Sequence, residues 1–194
     1  MKKLFALIIA LSGVLLSCSK EPDHSYEMLN SLKGRYVLTD VEWDGEPFDW
    51  NGDGVKHDSL LDEIKSLSSG LSHGYICPET PWIGEVTMMG AIPGQVGDTT
   101  NRRNFGEIIA HYKAYATVAK NNNEYRYVFS FKDNSPIAPT IGTPEVPLSK
   151  CTNGVITYNN GTFNATFDAV FFDPMDWKEV SGKVTFIYTY KSEY

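Results

Sequence analysis

Cysteine and basic residues are both scarce in this chain. It has only 3 cysteines in 194 residues, and none stands in a Cys-x-x-Cys motif or a Cys/His cluster, which excludes the usual zinc sites. Its 17 Lys and Arg are outnumbered by 24 Asp and Glu, for a formal net charge of −7. This acidic balance argues against nucleic acid as a partner, because phosphate backbones attract positively charged proteins.

Catalytic motifs are missing as well. The sequence contains no Gly-x-Ser-x-Gly, no His-Glu-x-x-His and no glycine-rich phosphate loop. The 4 histidines are scattered along the chain. Acidic residues that lie close together in the sequence are better explained as parts of turns and helix starts than as catalytic pairs. These absences indicate that the protein is not an enzyme.

Long apolar runs are limited to one, from Leu4 to Leu16, which is shorter than the roughly 20 residues that span a bilayer. Two lysines precede it, and Leu-Leu-Ser-Cys ends it at Cys18. This layout resembles the signal peptide and lipobox of a bacterial lipoprotein. The resemblance implies cleavage before Cys18, acylation of that cysteine by fatty acids such as palmitate, and a lipid-anchored place in the cell envelope. A Gram-negative-type outer membrane is the expected location.

The resemblance divides the chain into a signal peptide (1–17), a lipidated polar tether (18–31) and one domain (32–194). Loss of the signal peptide removes two lysines and changes the formal net charge from −7 to −9. In an oxidising compartment the remaining pair, Cys77 and Cys151, predicts a disulfide, which would stabilise the domain by about 4 kcal/mol. Two free buried thiols are the alternative.

Aromatic residues are abundant, with 11 Tyr and 10 Phe, and much of the chain alternates between apolar and polar residues. Both features favour β-strands. The strands predicted are 34–43, 83–90, 106–119, 124–132, 154–158, 162–172 and 178–191. One short helix is predicted at 59–67, whereas 68–81 and 93–104 are predicted to be irregular. The fold class is therefore mainly β and antiparallel, as a barrel or alternatively a β-sandwich.

Gly34-Arg35-Tyr36 opens the first predicted strand after a short apolar lead, Leu29 and Leu32. This tripeptide is similar to the Gly-x-aromatic start of lipocalin-like domains, although lipocalins carry Trp where this chain has Tyr36. The resemblance implies a β-barrel that binds a small apolar or amphipathic ligand, and it assigns no ligand-binding residues. The alternative is a structural or accessory protein of an outer-membrane complex, without a ligand cavity.

The segment 49–55, Asp-Trp-Asn-Gly-Asp-Gly-Val, is similar to the first half of an EF-hand calcium loop. That family's loop ends with a bidentate Glu at its twelfth position, which is Leu60 here, so later acids would have to complete the shell. The residues that would bind calcium are Asp49, Asn51, Asp53, Val55 (through its carbonyl), Asp58, Asp62 and Glu63. A structural calcium ion is thus predicted, and a solvated turn before a helix is the alternative.

Overall fold

The computed structural model describes residues 24–63, 73–80, 83–95, 105–122, 124–131, 150–173, 175–176 and 178–192. Of residues 73–80, 83–84, 89–95 and 105–111 it describes the backbone alone. The predicted signal peptide and Cys18 lie outside the described residues.

The described residues form two short helices and eight strands. These are α1 (Ser25–Ser31), β1 (Gly34–Trp43), α2 (Leu60–Glu63), β2 (His73–Thr80), β3 (Ile83–Gln95), β4 (Phe105–Asn121), β5 (Glu124–Phe131), β6 (Lys150–Asn159), β7 (Thr162–Asp173) and β8 (Lys178–Ser192). The prediction of a mainly β, antiparallel protein is confirmed.

All eight strands belong to one sheet, in the order β5-β4-β3-β2-β1-β8-β7-β6. Every ladder is antiparallel and joins strands adjacent in the chain, except that the last strand pairs with the first. This is the order of an up-and-down barrel that is opened between β5 and β6.

The two ends of the sheet meet, so the sheet curls into a barrel. The ring of Tyr127 on β5 lies 5.5 Å from that of Tyr158 on β6. Further along, Gly154 of β6 faces Phe131 of β5 so closely that a Cβ at Gly154 would clash with the Phe131 ring. β5 and β6 therefore lie side by side, although no ladder joins them within the described residues.

A bulge interrupts the alternation of β1. Leu38 pairs with Tyr188 and Asp40 with Ile187, so Thr39 is an extra residue in β1. An extra residue exchanges the two faces of a strand. Tyr36 faces inward before the bulge, and Val41 and Trp43 do so after it.

Three predicted segments differ from the structure, and a fourth, the helix 59–67, is described only to residue 63. Residues 25–31, assigned to the tether, form α1, because Leu29 is buried against the barrel. The predicted helix 59–67 is described only as the single turn α2. Residues 73–80, predicted to be irregular, form β2, whose ladder with β3 shifts register between Cys77 and Thr80, where Pro78 cannot donate a hydrogen bond. β3 continues to Gln95, into the predicted loop.

The barrel has two unlike ends. At the turn end, which bears α1, the connections β2–β3, β4–β5 and β6–β7 have 2 residues each. At the loop end, the connections β1–β2, β3–β4, β5–β6 and β7–β8 have 29, 9, 18 and 4 residues. The names turn end and loop end are used below in this sense.

Candidate functional site

The predicted calcium loop lies at the loop end and is closed by hydrogen bonds from its own backbone. Asp49, only 9 % exposed, accepts three of them. Its Oδ1 accepts from the N–H groups of Gly52 (2.7 Å) and Asp53 (3.1 Å), and its Oδ2 accepts from Gly54 (2.9 Å). Gly52 and Gly54 have φ values of 75° and 88°, which glycine adopts without the steric cost of a Cβ. The Asp and Gly residues of the motif thus form a compact turn.

Two further side chains repeat this pattern at the exposed surface of the loop. Asn51 Oδ1 accepts from the Asp53 N–H at 2.8 Å, and Asp53 Oδ1 accepts from the Val55 N–H at 2.8 Å. Both are Asx turns, in which the side-chain oxygen of one residue accepts the backbone N–H of the residue two positions later. The amide of Asn51 also donates to the carbonyl of Asp62 at 3.1 Å, which connects the loop to α2.

Glu63 is the central residue of this loop. It is 1 % exposed, and its carboxylate accepts three backbone N–H groups. Oε2 accepts from Trp50 (2.8 Å) and Asn51 (3.2 Å), and Oε1 accepts from His57 (3.0 Å). Hydrogen bonds to a charged acceptor are the stronger kind, and burial makes their loss costly. The Glu63 carboxylate therefore closes the loop by accepting backbone N–H groups from three of its residues.

The other predicted ligands lie on the surface of the loop. The side chains of Asp58 and Asp62 are exposed, and Val55, predicted to contribute its carbonyl, has a side chain that is 51 % exposed. Within the described ranges, no group of three His, Cys, Asp or Glu side chains is placed to hold a metal ion. Calcium at this loop therefore stays a prediction from the sequence.

The β7–β8 turn lies beside this loop and is built in the same way. Asp173, fully buried, accepts the N–H groups of Met175 (2.8 Å) and Asp176 (3.1 Å) through Oδ1, while its Oδ2 has no partner among the described residues. A Cβ at Gly52 would lie 3.8 Å from the Met175 side chain, so the two segments touch. An exposed ion pair between Lys56 and Asp176, 3.3 Å, also joins them.

The barrel interior is the second candidate site, and it is lined with aromatic rings. Three phenylalanines spaced by four residues along β7 each centre a cluster: Phe163 at the turn end, Phe167 in the middle and Phe171 at the loop end. Their nearest ring contacts are Tyr158 (4.6 Å), Tyr112 (4.7 Å) and Trp43 (5.0 Å), respectively. Such pairs add about 0.5–1.5 kcal/mol each beyond the burial of their area.

Two groups in the middle cluster are polar. The hydroxyl of Tyr112 is buried and has no hydrogen-bond partner of good geometry among the described residues. Burial raises the pKa of Tyr112, and the adjacent Cys151 and Tyr188 raise it further. Burial also raises the pKa of the Cys151 thiol to about 12, against a smaller lowering effect of Tyr112. Cys151 is therefore a protonated thiol at neutral pH and a poor nucleophile.

The predicted disulfide between Cys77 and Cys151 is wrong, because Cys151 is a free thiol. Cys151 is buried on β6 against Tyr112 and opposite Ala169 of β7. The side chain of Cys77 lies outside the described residues, and its backbone belongs to β2 in the opposite half of the sheet order. A thiol that packs into the aromatic interior behaves as a small apolar side chain.

Glu63 was predicted to belong to a calcium shell, and its role as a hydrogen-bond acceptor was not predicted. Its partners lie 13, 12 and 6 residues before it, so the role depends on the chain turning back, which no local spacing reveals. One signal was present: Asp49 and Glu63 stand at the two ends of a segment with two glycines and little apolar alternation, whose backbone N–H groups need acceptors.

Comparisons of this chain with protein-family models, with curated proteins and with solved structures find no match. Of the helices in the described part of the chain, neither has the length and apolar character needed to cross a membrane.

Proposed function

We propose that this chain is a non-enzymatic lipoprotein, anchored by Cys18 in the envelope of a Gram-negative-type bacterium, whose barrel serves a structural or accessory role in an outer-membrane complex. The observation that supports this choice is the packing of aromatic rings across the part of the barrel interior whose side chains the structure describes. Rings on β1, β4, β5, β6, β7 and β8 meet there, around Phe163, Phe167 and Phe171. Rings that pack against one another leave little space between them for a ligand, so this part of the barrel favours a function at the surface.

The anchor and the filled interior are tested together on the full-length chain expressed in a Gram-negative host. Mass spectrometry of the N-terminal peptide should show Cys18 as the first residue, with attached acyl chains. Cys18→Ser is the control and should remain unacylated. The fluorescence of an apolar dye should not rise on addition of the purified protein. An unmodified N-terminus would contradict the anchor, and a saturable rise in dye fluorescence would contradict the filled barrel.

A small amphipathic ligand inside the barrel is the second candidate function, and the Tyr112 hydroxyl favours it. Among the described residues the Tyr112 hydroxyl has no hydrogen bond of good geometry and only the weakly polar Cys151 thiol beside it, so a ligand acceptor or a buried water would satisfy it. Native mass spectrometry of the purified protein would reveal a bound small molecule. Tyr112→Phe should then reduce its occupancy about tenfold, while Tyr36→Phe, whose hydroxyl is already bonded to the Leu32 carbonyl, should not. An equal effect of both changes would contradict the assignment.

Calcium at the acidic loop also remains a proposal from the sequence, and it can be separated from the hydrogen-bonded arrangement. If calcium binds, it should raise the melting temperature, and Asp49→Ala and Asp53→Ala should each abolish that rise. If the hydrogen bonds alone close the loop, Asp49→Ala should lower the melting temperature far more than Asp53→Ala, with or without calcium. The reason is that Asp49 accepts three N–H groups and Asp53 accepts one.

A further inference from the structure

Charge is distributed very unevenly along the barrel axis. Within 44–63 and 173–179, at the loop end, the acids Asp44, Glu46, Asp49, Asp53, Asp58, Asp62, Glu63, Asp173, Asp176 and Glu179 accompany only Lys56 and Lys178. Around α1 and the strand ends of the turn end, the described charged residues are Lys33, Arg35, Lys120, Arg126 and Lys191 with Glu27, Glu85 and Glu124. Glu79 of β2, of which only the backbone is described, belongs to the same end, so the turn end carries only a small positive balance, whereas the loop end is strongly acidic.

Exposed tyrosines accompany these basic residues. Tyr26 on α1 is 54 % exposed, and Tyr190 near the end of β8 is 40 % exposed. Lys33, which follows α1, and Lys191, next to Tyr190 in sequence, are exposed too. Tyrosine rings and long lysine side chains suit the boundary between water and lipid, because each combines an apolar body with a polar tip. The same surface thus presents both positive charge and amphipathic rings.

The path of the chain brings this end close to the predicted anchor. Only six residue steps separate Cys18 from His24, where the described structure begins, and six residues reach at most about 20 Å. The helix α1 that follows is fixed to the barrel. Its Leu29 is buried, and the Tyr127 hydroxyl donates to the Met28 carbonyl at 3.0 Å. A lipid on Cys18 would therefore hold the turn end, and not the loop end, next to the bilayer.

We propose that the turn end docks on the anionic headgroups of the bilayer that holds the anchor, through Lys33, Lys120 and Lys191 with Tyr26 and Tyr190. The docking rests on the proposed lipid anchor at Cys18. Attraction to an anionic surface falls off within about 8–10 Å at physiological salt, so the short tether keeps these lysines near its range. The acidic loop end is repelled by the same surface and points away from it.

Lysine acetylation of the lipidated, full-length protein tests this orientation. The acetylation rate of each lysine is measured by mass spectrometry in detergent micelles and in vesicles with about 30 % anionic lipid. Lys33, Lys120 and Lys191 should react at least fivefold more slowly on the vesicles, while Lys56 and Lys178 should change less than twofold. The protection should weaken in 0.5 M salt and on zwitterionic vesicles. Equal protection at both ends, or protection of Lys56 and Lys178 alone, would overturn the proposal.

A second arm separates failure of docking from failure of the anchor. An untagged chain that carries no acyl mass and does not float with vesicles would refute the anchor. A C-terminal hexahistidine tag bound to nickel-chelating lipid then tethers the turn end, because β8 ends at the turn end. The acetylation rates of the lysines are measured again in this arrangement. A variant in which Glu replaces Lys33, Lys120 and Lys191 should be poorly oriented on the vesicles. Acetylation of Lys56 and Lys178 should therefore become slower in this variant. The matched change of Lys56, Lys150 and Lys178 to Glu should leave turn-end protection in place.

Discussion

The two ends of the barrel are stabilised by different interactions. At the loop end, the carboxylates of Asp49, Glu63 and Asp173 accept backbone N–H groups of connections that have little regular structure. At the turn end, two-residue turns join the strands, and tyrosines hold α1 in place: Tyr36 donates to the Leu32 carbonyl, and Tyr127 donates to the Met28 carbonyl. The loop end therefore adds buried acidic acceptors to its aromatic cluster around Phe171, whereas the turn end adds neutral tyrosine hydroxyls to the cluster around Phe163.

This difference follows from what each end must satisfy. A two-residue turn leaves few backbone groups unpaired, so burial of rings is enough to hold it. Asn122 and Asn160 occupy two of these turns at positive φ, which asparagine tolerates better than most residues. A connection of 29 residues has many N–H groups that no strand can pair, and short acidic side chains supply acceptors for them. The acidity of the loop end is therefore partly structural.

The largest expected effect is at Glu63. Glu63→Ala leaves the N–H groups of Trp50, Asn51 and His57 without their acceptor in a buried site, and we expect a loss of about 3 kcal/mol in the free energy of unfolding. Urea unfolding measures it. Asp62→Ala is the matched control, because the side chain of Asp62 is exposed, and it should cost less than about 0.5 kcal/mol. Equal losses would show that the loop is not closed by Glu63.

The next largest effect is expected where β6 crosses the middle cluster. A Cβ at Gly154 would collide with the rings of Phe131 and Phe167, so Gly154→Ala should destabilise the domain by about 2 kcal/mol. Gly54→Ala is a useful comparison, because no atom lies within 4 Å of its Cβ position and its cost would come only from its φ of 88°. If Gly154→Ala were neutral in urea unfolding, β5 and β6 would not be as close as described.

Sequence patterns predicted most of the sheet, and the failures have physical causes. Long alternating segments such as those of β4, β5, β7 and β8 were predicted with boundaries within one or two residues. β2 was missed because Gly74 and Pro78 interrupt its pattern, and its strand conformation depends on pairing with β1 and β3. α1 was missed because seven mainly polar residues have no helical signal of their own without the barrel beneath Leu29.

The loop end was predicted only in part. The turn formed by Asp49 and its glycines follows from local sequence, and the Asx turns of Asn51 and Asp53 follow from the same rule. The roles of Glu63 and Asp173 depend on where distant backbone segments come to lie, so their sequence neighbours carry no sign of them. The predicted pairing of Cys77 with Cys151 failed for a related reason. An oxidising compartment and an even number of cysteines indicate that a disulfide is able to form, but they do not say where the two thiols lie in the fold.

A smaller effect should separate two buried tyrosines. Tyr36→Phe removes a hydrogen bond to the buried Leu32 carbonyl and should cost about 1 kcal/mol. Tyr112→Phe removes a hydroxyl that has no partner among the described residues, so the free energy of unfolding should stay the same or rise. Thermal unfolding of the two variants in parallel measures the contrast. A loss on Tyr112→Phe as large as on Tyr36→Phe would mean that a ligand or water occupies the middle cluster.

The smallest effect is expected from the ion pair of Glu46 and Lys178 at the loop end, where the two side chains meet at 2.6 Å but remain largely exposed. The hydrogen bond from Lys178 lowers the pKa of Glu46 below its ordinary value of 4.5, and the same bond raises the pKa of Lys178 above 10.5. The stabilisation is therefore present between these two values. It is lost as the pH falls through the lowered pKa of Glu46 or rises through the raised pKa of Lys178.

Solvent and salt screen such a pair, so Glu46→Gln should flatten the acid side of the plot of melting temperature against pH only slightly. In 0.5 M salt the difference between Glu46→Gln and the unchanged protein should be smaller still. A change as large as that of Glu63→Ala would mean that exposed charge, and not buried carboxylates, holds the loop end.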